Sequence, residues 1–404
     1  MSLKFTAEII FWLSAAALVY TYVGYPAIIA LISSLWPRRV TRQDFTPSLS
    51  IIITAYNEER ALSAKLKNTL ALDYPRDRRE IIVSSDCSSD RTDEIAEAFQ
   101  HEGVILHRQP NRLGKTAAQN AAVEKARGEI IVFSDATSLY QPETLRKIVR
   151  SFADPKVGCV GGRLIYVDTG NTDVGRGARR YWGYETFLKR HESRACSLIG
   201  VSGCLYAVRK SAYVPLYNEA CSDFIIATKM VEQGLRTVYD PDAICREETN
   251  QRPDNELRMR VRVIAQTFTD LWRHRAMLNP LRSGLYGVQL FSHKLMRYCV
   301  PLFLITLFAA SAVLARTSPT HQVSFLVQAF GYLGGACCWL LQGFGVRSRV
   351  LALPHYFVLA NVASLIAMFQ FLRGERYARW EPMRDQSVRS PSVSESYVGK
   401  NALP

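Results

Sequence analysis

Four runs without a charged side chain constrain this chain more than any other feature. From Ile9 to Trp36, Tyr298 to Ala315, Gln322 to Val346 and Val350 to Leu372 there is no Asp, Glu, Lys or Arg. About 20 apolar residues cross a bilayer core, and a soluble fold rarely crowds three such runs together. Each run is a candidate span. The first is too long for a signal peptide and has only Lys4 as a basic flank, so it reads as an uncleaved anchor. Arg38, Arg39 and Arg42 follow at once, which puts the long middle segment in the cytoplasm and the N-terminus outside. At the far end two rules conflict. Alternation through three spans leaves the C-terminus outside, whereas Arg373, Arg376, Arg379 and Arg384 argue for inside. Either one run is re-entrant or interfacial, or an additional crossing lies between Ser283 and Ala315. The expected organisation is an anchor over 1–37, a cytoplasmic domain over 38–280, interfacial and transmembrane helices over 281–372, and a cytoplasmic or mobile tail over 373–404. The expected location is the inner (plasma) membrane, with multiple passes.

Composition narrows the class of the middle segment. With 48% hydrophobic residues the chain is not disordered. Nine cysteines, none in C-x-x-C spacing, argue against a disulfide or zinc framework and fit a reducing compartment. The net charge of +14 is spread over membrane-flanking stretches, such as Arg176 to Arg194 with six basic and two acidic residues. No single basic stripe forms, so a nucleic-acid partner is not expected and anionic lipid is.

Short apolar runs at Leu49 to Thr54, Glu80 to Ser84, Val104 to His107 and Ile130 to Phe133 alternate with helical patterns near 58–72, 90–101 and 115–127. Continuous apolar strands separated by helices predict an α/β domain built on a mostly parallel sheet. Further strands are expected at 161–167, 205–208 and 237–239, with helices near 176–194 and 223–233. Ligands of such sheets sit beyond the carboxyl ends of the strands. Four loops become candidates: Ala55-Tyr-Asn-Glu, Ser85-Asp-Cys-Ser-Ser-Asp, the turn from Pro110 to Lys115, and Ser134-Asp-Ala-Thr. Asp90 suits a helix N-cap, but capping leaves Asp86 unexplained. Asp86 can accept from a base N–H or a ribose hydroxyl. Asp135 can meet Mg²⁺ or Mn²⁺ and, with Lys115, a diphosphate.

The motifs Ser50-Ile-Ile-Ile-Thr-Ala-Tyr-Asn-Glu-Glu, Val83-Ser-Ser-Asp-Cys-Ser-Ser-Asp-Arg-Thr, Gly114-Lys115 with Asn120, and Phe133-Ser-Asp-Ala-Thr, in this order, closely resemble family 2 glycosyltransferases of the GT-A fold. The layout is similar to the membrane-embedded branch that includes hyaluronan, chitin, cellulose and poly-N-acetylglucosamine synthases, over about residues 48–280. The resemblance implies that Tyr56 and Glu58 lie against a uridine, Asp86 holds the base, Lys115 nears the diphosphate and Asp135 binds the metal. The family's D-x-D is here Asp135-Ala136-Thr137, so either Thr137 or a water completes the coordination, or the metal is held more weakly. Gly200 to Arg209, with Cys204, resembles the acceptor-side loop. Asp223, after Ser222, stands where the catalytic base is expected, although an acid in a first helical turn is also favoured by the macrodipole.

The processive relatives' Q-x-x-R-W is absent, which puts processive synthesis in doubt. In its place Arg258, Arg260 and Arg262 accompany an apolar stripe of Leu257, Val261, Ile264, Phe268 and Leu271. The stripe reads as an amphipathic helix lying on the membrane. Arg258 and Arg262 share one face and contact either phosphate or anionic lipid. Tyr181, Trp182 and Tyr184 are core, interfacial or sugar-stacking residues, and Glu247 and Glu248 either line the acceptor side or are solvated. The expected function is inverting transfer of a hexose or N-acetylhexosamine from a UDP-sugar to a growing polysaccharide or lipid-linked saccharide, with an export complex as a possible partner. The alternatives are single transfer to a polyprenyl-phosphate lipid, and a silent nucleotide-binding regulator.

Overall fold

The computed structural model describes residues 3–167, 173–249, 252–343 and 352–377. Helix α1 (Leu3–Val19) passes through a π-helical turn at Tyr20–Gly24 into α2 (Tyr25–Leu35), a continuous apolar helix of 33 residues. At 1.5 Å per residue this is roughly 50 Å, well beyond the ~30 Å of a bilayer core. The surplus is used by the protein itself. On α2, Tyr25 and Ile29 pack on Leu188 and Ala195, and Ser33 Oγ lies 2.6 Å from His191 Nδ1. Toward the N-terminus the helix exposes Trp12, Leu13 and Val19, each more than half accessible.

The domain that follows is one eight-stranded sheet: β1 (Leu49–Ala55), β2 (Arg79–Ser85), β3 (Val104–Arg108), β4 (Ile130–Asp135), β5 (Leu139–Tyr140), β6 (Val157–Val167), β7 (Tyr206–Arg209) and β8 (Arg236–Glu248). Their order is β3-β2-β1-β4-β7-β6-β8-β5. The first four pair in parallel, joined by α3 (Leu62–Leu70), α4 (Thr92–Ala98) and α5 (Lys115–Lys125). Every residue of β1 is buried, as a strand covered on both faces requires. Alternation divides it: Ile51 and Ile53 join Leu62, Leu66 and Val132 on one side, while Ile52 joins Ile82, Ile131 and Phe133 on the other. Beyond β4 the sheet is mixed, because β7 runs antiparallel to both β4 and β6, and β5 antiparallel to β8. After α6 (Thr144–Val149), the helices α7 (Asp173–Ala195) and α8 (Ser222–Glu232) complete this half.

Helix α9 (Pro253–Arg273) corrects one expectation. Its apolar stripe exists, but Val261, Ile264 and Phe268 are buried against Ala363 and Ala367 of the last helix rather than laid on lipid. One apolar face removes another from water, which is the same driving force satisfied within the chain. After α10 (Pro280–Ser283), α11 (Leu285–Gln289) widens into a π-helical stretch at Leu290–Met296 and bends by 56° into α12 (Val300–Leu314). Then come α13 (Pro319–Gly343) and α14 (Ala352–Leu372). Among the described residues, Leu3–Leu35 and Pro354–Leu372 are long and apolar enough to cross a membrane, and the bent pair makes a third if it is one span. Gln322 to Gly343 falls within α13, and the rest of that run, with Val350, Leu351, Arg379, Arg384 and the tail from 378, lies outside the described residues.

Candidate active site

Parallel pairing places the predicted loops side by side, with Ala55 opposite Ser85 and Thr54 opposite Asp135 at the carboxyl ends of β1, β2 and β4. The β1 and β2 loops then lock together. Asn57 and Cys87 both adopt positive φ, 53° and 59°, which turns the backbone sharply after each strand. The Asn57 N–H donates to Ser88 Oγ at 3.1 Å, and Asn57 Oδ1 accepts from the Ser89 N–H at 2.8 Å. Asp90 accepts from the backbone N–H groups of Thr92 and Glu59, so it closes the turn before α4, whose N-cap position is Arg91, and ties the two loops together. Helix α3 begins at Leu62 rather than near 58 because the preceding residues are used in this tie.

Asp86 is fully buried, and its two oxygens accept from the N–H groups of Leu113 and Gly114, each at 2.9 Å. It therefore anchors the turn that delivers Lys115 to the first position of α5. Gly114 takes φ 102°, a conformation side chains resist. Above this turn the Arg112 guanidinium lies 3.9 Å from the centre of the Tyr56 ring, a cation–π contact that sequence reasoning missed. Glu58 is buried, with its N–H donating to Thr92 Oγ1.

The convergence is clearest at Gly203. A Cβ added there would stand 3.0 Å from Lys115 Nζ, 3.3 Å from Asp223 Oδ2 and 3.6 Å from Asp135 Oδ2. Three side chains from α5, the end of β4 and the first turn of α8 thus meet at one point. Lys115 Nζ contacts Asp135 Oδ1, and Asp223 accepts from the Gly203 N–H at 3.1 Å and the Cys221 thiol at 3.0 Å. Burial acts to lower the Lys115 pKa, but the Asp135 and Asp223 carboxylates outweigh it and hold the ammonium above its usual value. Thr137 donates from Oγ1 to Glu247 Oε1 at 2.9 Å, which brings a second carboxylate, from the end of β8, to the loop where the D-x-D lacks one. Burial and the nearby Asp135 charge push Glu247 up to about 7.

The other expected residues have partners of their own. The Cys204 thiol is buried 3.1 Å from the Cys245 sulfur, and the Cys204 carbonyl accepts from Tyr140 and Ser138. Arg258 is exposed and Arg262 half-buried, whereas Arg260 reaches inward to Glu256 and Tyr356. The Arg260 and Arg297 guanidiniums both lie over the Tyr181 ring, 4.7 and 4.8 Å from its centre. Glu248 is exposed. Sequence reasoning also missed Lys65. It is fully buried, donates to the Ser138 carbonyl at 2.7 Å, and is pulled down to about 7 by burial. The signal was present, since Lys65 shares the helical stripe of Leu62, Leu66 and Thr69.

Residues 50–221 match the sequence model of glycosyl transferase family 2. The N-acetylglucosaminyltransferase of Rhizobium sp. (strain N33) is 27% identical over 277 residues, 63% of this chain and 61% of that relative. A probable glycosyltransferase, YdaM, of Bacillus subtilis (strain 168) is 33% identical over 132 residues, 31% of each chain. The chain thus spans less than two thirds of the length of these two relatives. Among solved structures, the mannosyltransferase PcManGT from Pyrobaculum calidifontis, in complex with GDP-Man and Mn²⁺, superposes with a TM-score of 0.70 at 23% identity, covering 91% of this chain and 99% of that one. The shared architecture is the GT-A fold.

Proposed function

Because the chain carries a family 2 glycosyltransferase domain, we propose that it is a membrane-anchored enzyme that transfers a sugar from a UDP-sugar, with inversion, to a growing polysaccharide or lipid-linked saccharide. The observation that carries this reading is the meeting of Lys115, Asp135 and Asp223 around Gly203. Asp223 takes the proton of the acceptor hydroxyl as that oxygen attacks the anomeric carbon. Lys115 offsets the charge that develops on the leaving diphosphate, in a site where burial strengthens the interaction. Tyr56 and Arg112 offer a flat, cationic wall to the nucleotide.

The donor set suits Mg²⁺ or Mn²⁺. Asp135 supplies a carboxylate, with Thr137 and Glu247 beside it. Among the described residues no group of three His, Cys, Asp or Glu side chains is placed to hold a metal ion by itself, so phosphate oxygens of the ligand have to complete the shell, as hard cations with few protein ligands require. A bound cation would neutralise charge on the diphosphate. The apolar helices Leu3–Leu35 and Pro354–Leu372 support a multi-pass inner-membrane location, with Arg38 and Arg39 favouring a cytoplasmic site.

The test is a donor screen on the full-length protein with Mg²⁺ or Mn²⁺, reading released UDP. UDP-N-acetylglucosamine comes first, given the name of the Rhizobium relative. Turnover with at least one UDP-sugar and a loss of about 10²–10⁴-fold in Asp223→Asn are expected. UDP binding without turnover on every donor would refute the reading. Product length on a gel separates polymerisation from single transfer.

A further inference from the structure

We propose that Asp270, in the last turn of α9, is a positioning residue for the transfer: it fixes Cys221 and, through Cys221, the carboxylate of Asp223. The assignment rests on the transferase reading and adds to it what orients the base. Both oxygens of Asp223 are engaged, Oδ1 by the Cys221 thiol at 3.0 Å and Oδ2 by the Gly203 N–H at 3.1 Å. The orientation of the base therefore follows the position of Cys221. That residue stands at the N-cap of α8 with an extended backbone, φ −76° and ψ 90°, and an N–H at a helix start has no carbonyl partner inside its helix. It donates instead to Asp270 Oδ2 at 3.1 Å, while Asp270 Oδ1 accepts from the Tyr217 hydroxyl. Burial and the neighbouring Asp223 push the Cys221 thiol up, so it keeps the proton that it donates.

The segment leading to the base is gripped from two helices. From α5, which begins at Lys115, Thr116 Oγ1 donates to the Ala220 carbonyl at 2.8 Å and Asn120 Nδ2 to the Leu216 carbonyl at 2.6 Å. From α9, Asp270 takes Tyr217 and Cys221. One turn on, the Arg273 guanidinium lies 4.0 Å from the centre of the Tyr217 ring and 3.6 Å from Glu219. Leu271 packs with Cys221 and Phe224 in one apolar cluster. The α5 contacts tie the segment to the helix of the diphosphate lysine, and the α9 contacts tie it to a helix buried against α14.

An acid is a costly choice for the fully buried position 270. Burial lifts Asp270 to about 8, so near neutral pH it holds a proton and sets no second negative charge beside Asp223. Its hydrogen-bond partners, Tyr217 and Cys221, both belong to the segment that carries the base. An aliphatic side chain would fill the same space but leave the Cys221 N–H unpaired. Asparagine reproduces the protonated acid, because its carbonyl accepts from Cys221 and its NH₂ donates to the Tyr217 oxygen.

The experiment uses the full-length protein in phosphatidylcholine nanodiscs with UDP-N-acetylglucosamine and Mn²⁺. It reads UDP release, UDP affinity and amide hydrogen exchange in the first turn of α8. Asp270→Ala is expected to lower kcat by about 10²-fold, with the donor KM and UDP affinity held within about threefold. Exchange at Cys221 to Ile225 should quicken by about tenfold or more. Asp270→Asn restores both quantities to near the wild-type values. Should Asp270→Ala not bind UDP, the decision falls to Cys221, whose replacement leaves the backbone tie in place: Cys221→Ala lowers kcat by about tenfold and Cys221→Ser recovers it. An unchanged kcat in Asp270→Ala, an Asn variant as impaired as the Ala variant, or unaltered kinetics in Cys221→Ala overturns the proposal. A wild type that releases UDP from no UDP-sugar would instead strike the transferase reading, and the exchange rates then still decide whether Asp270 fixes the turn.

Discussion

Replacing Asp86 by Asn separates a residue that holds the site together from one that only touches the ligand. Both carboxylate oxygens are buried and both accept a backbone N–H, from Leu113 and Gly114. Asn keeps one acceptor and puts an NH₂ against the second amide. A hydrogen bond to a charged group contributes about 1.5–3 kcal/mol, and a buried donor left unmatched costs a further 1–3 kcal/mol. Allowing for relaxation of the turn, about 2–4 kcal/mol of stability should be lost. For a domain of this size each kcal/mol corresponds to about 2–4 °C, so the apparent Tm in detergent should fall by roughly 5–15 °C. The same turn positions Lys115, so UDP affinity should fall in parallel. Differential scanning fluorimetry and a UDP titration read the two quantities on one sample. An unchanged Tm with weakened UDP binding would refute the reasoning, because it would mean that the carboxylate serves the nucleotide and not the turn.

The remaining predictions bear on the base, the lower part of the site and the metal. Gly203→Ala has no backbone strain to relieve, since its φ is not positive, but its methyl meets Lys115 and Asp223. Turnover should fall by roughly tenfold to a hundredfold with a Tm shift under about 2 °C, and unaltered kinetics would exclude Gly203 as the meeting point. Asp270 is buried, accepts from Tyr217 and the Cys221 N–H, and is lifted by burial to about 8. The folded chain therefore keeps a proton that the unfolded chain releases from about pH 4 upward, so this contribution to stability declines as pH rises toward 8. Tm measured at pH 5 and pH 8 should differ less in Asp270→Asn than in the wild type. Chelation with EDTA should stop UDP release, Mn²⁺ or Mg²⁺ should restore it, and Asp135→Asn should raise the Mn²⁺ concentration needed for half-maximal rate.

Much of this was readable along the chain. The uncharged runs determine which helices carry apolar surface all round, and the unbroken apolar stretches near Ile52, Ile82 and Ile131 determine strands buried on both faces. Both are consequences of periodicity over a few residues. The four motif loops were legible for the same reason, because turn chemistry and strand ends are written locally. Tertiary structure decided the rest. That Lys115, Asp135 and Asp223 share one point depends on β7 returning antiparallel, which lays the Gly203 loop across the ends of distant strands. The predicted stripe on α9 is covered by α14, separated from it by a long stretch of chain, and Glu247 reaches Thr137 from the far end of β8. Arg112 over Tyr56, and Cys204 against Cys245, belong to the same class. Local pattern tells which face of an element is apolar. Which partner covers that face, and which charges are brought together as it is covered, is set by packing among residues far apart in the chain, and no short window of sequence contains both partners.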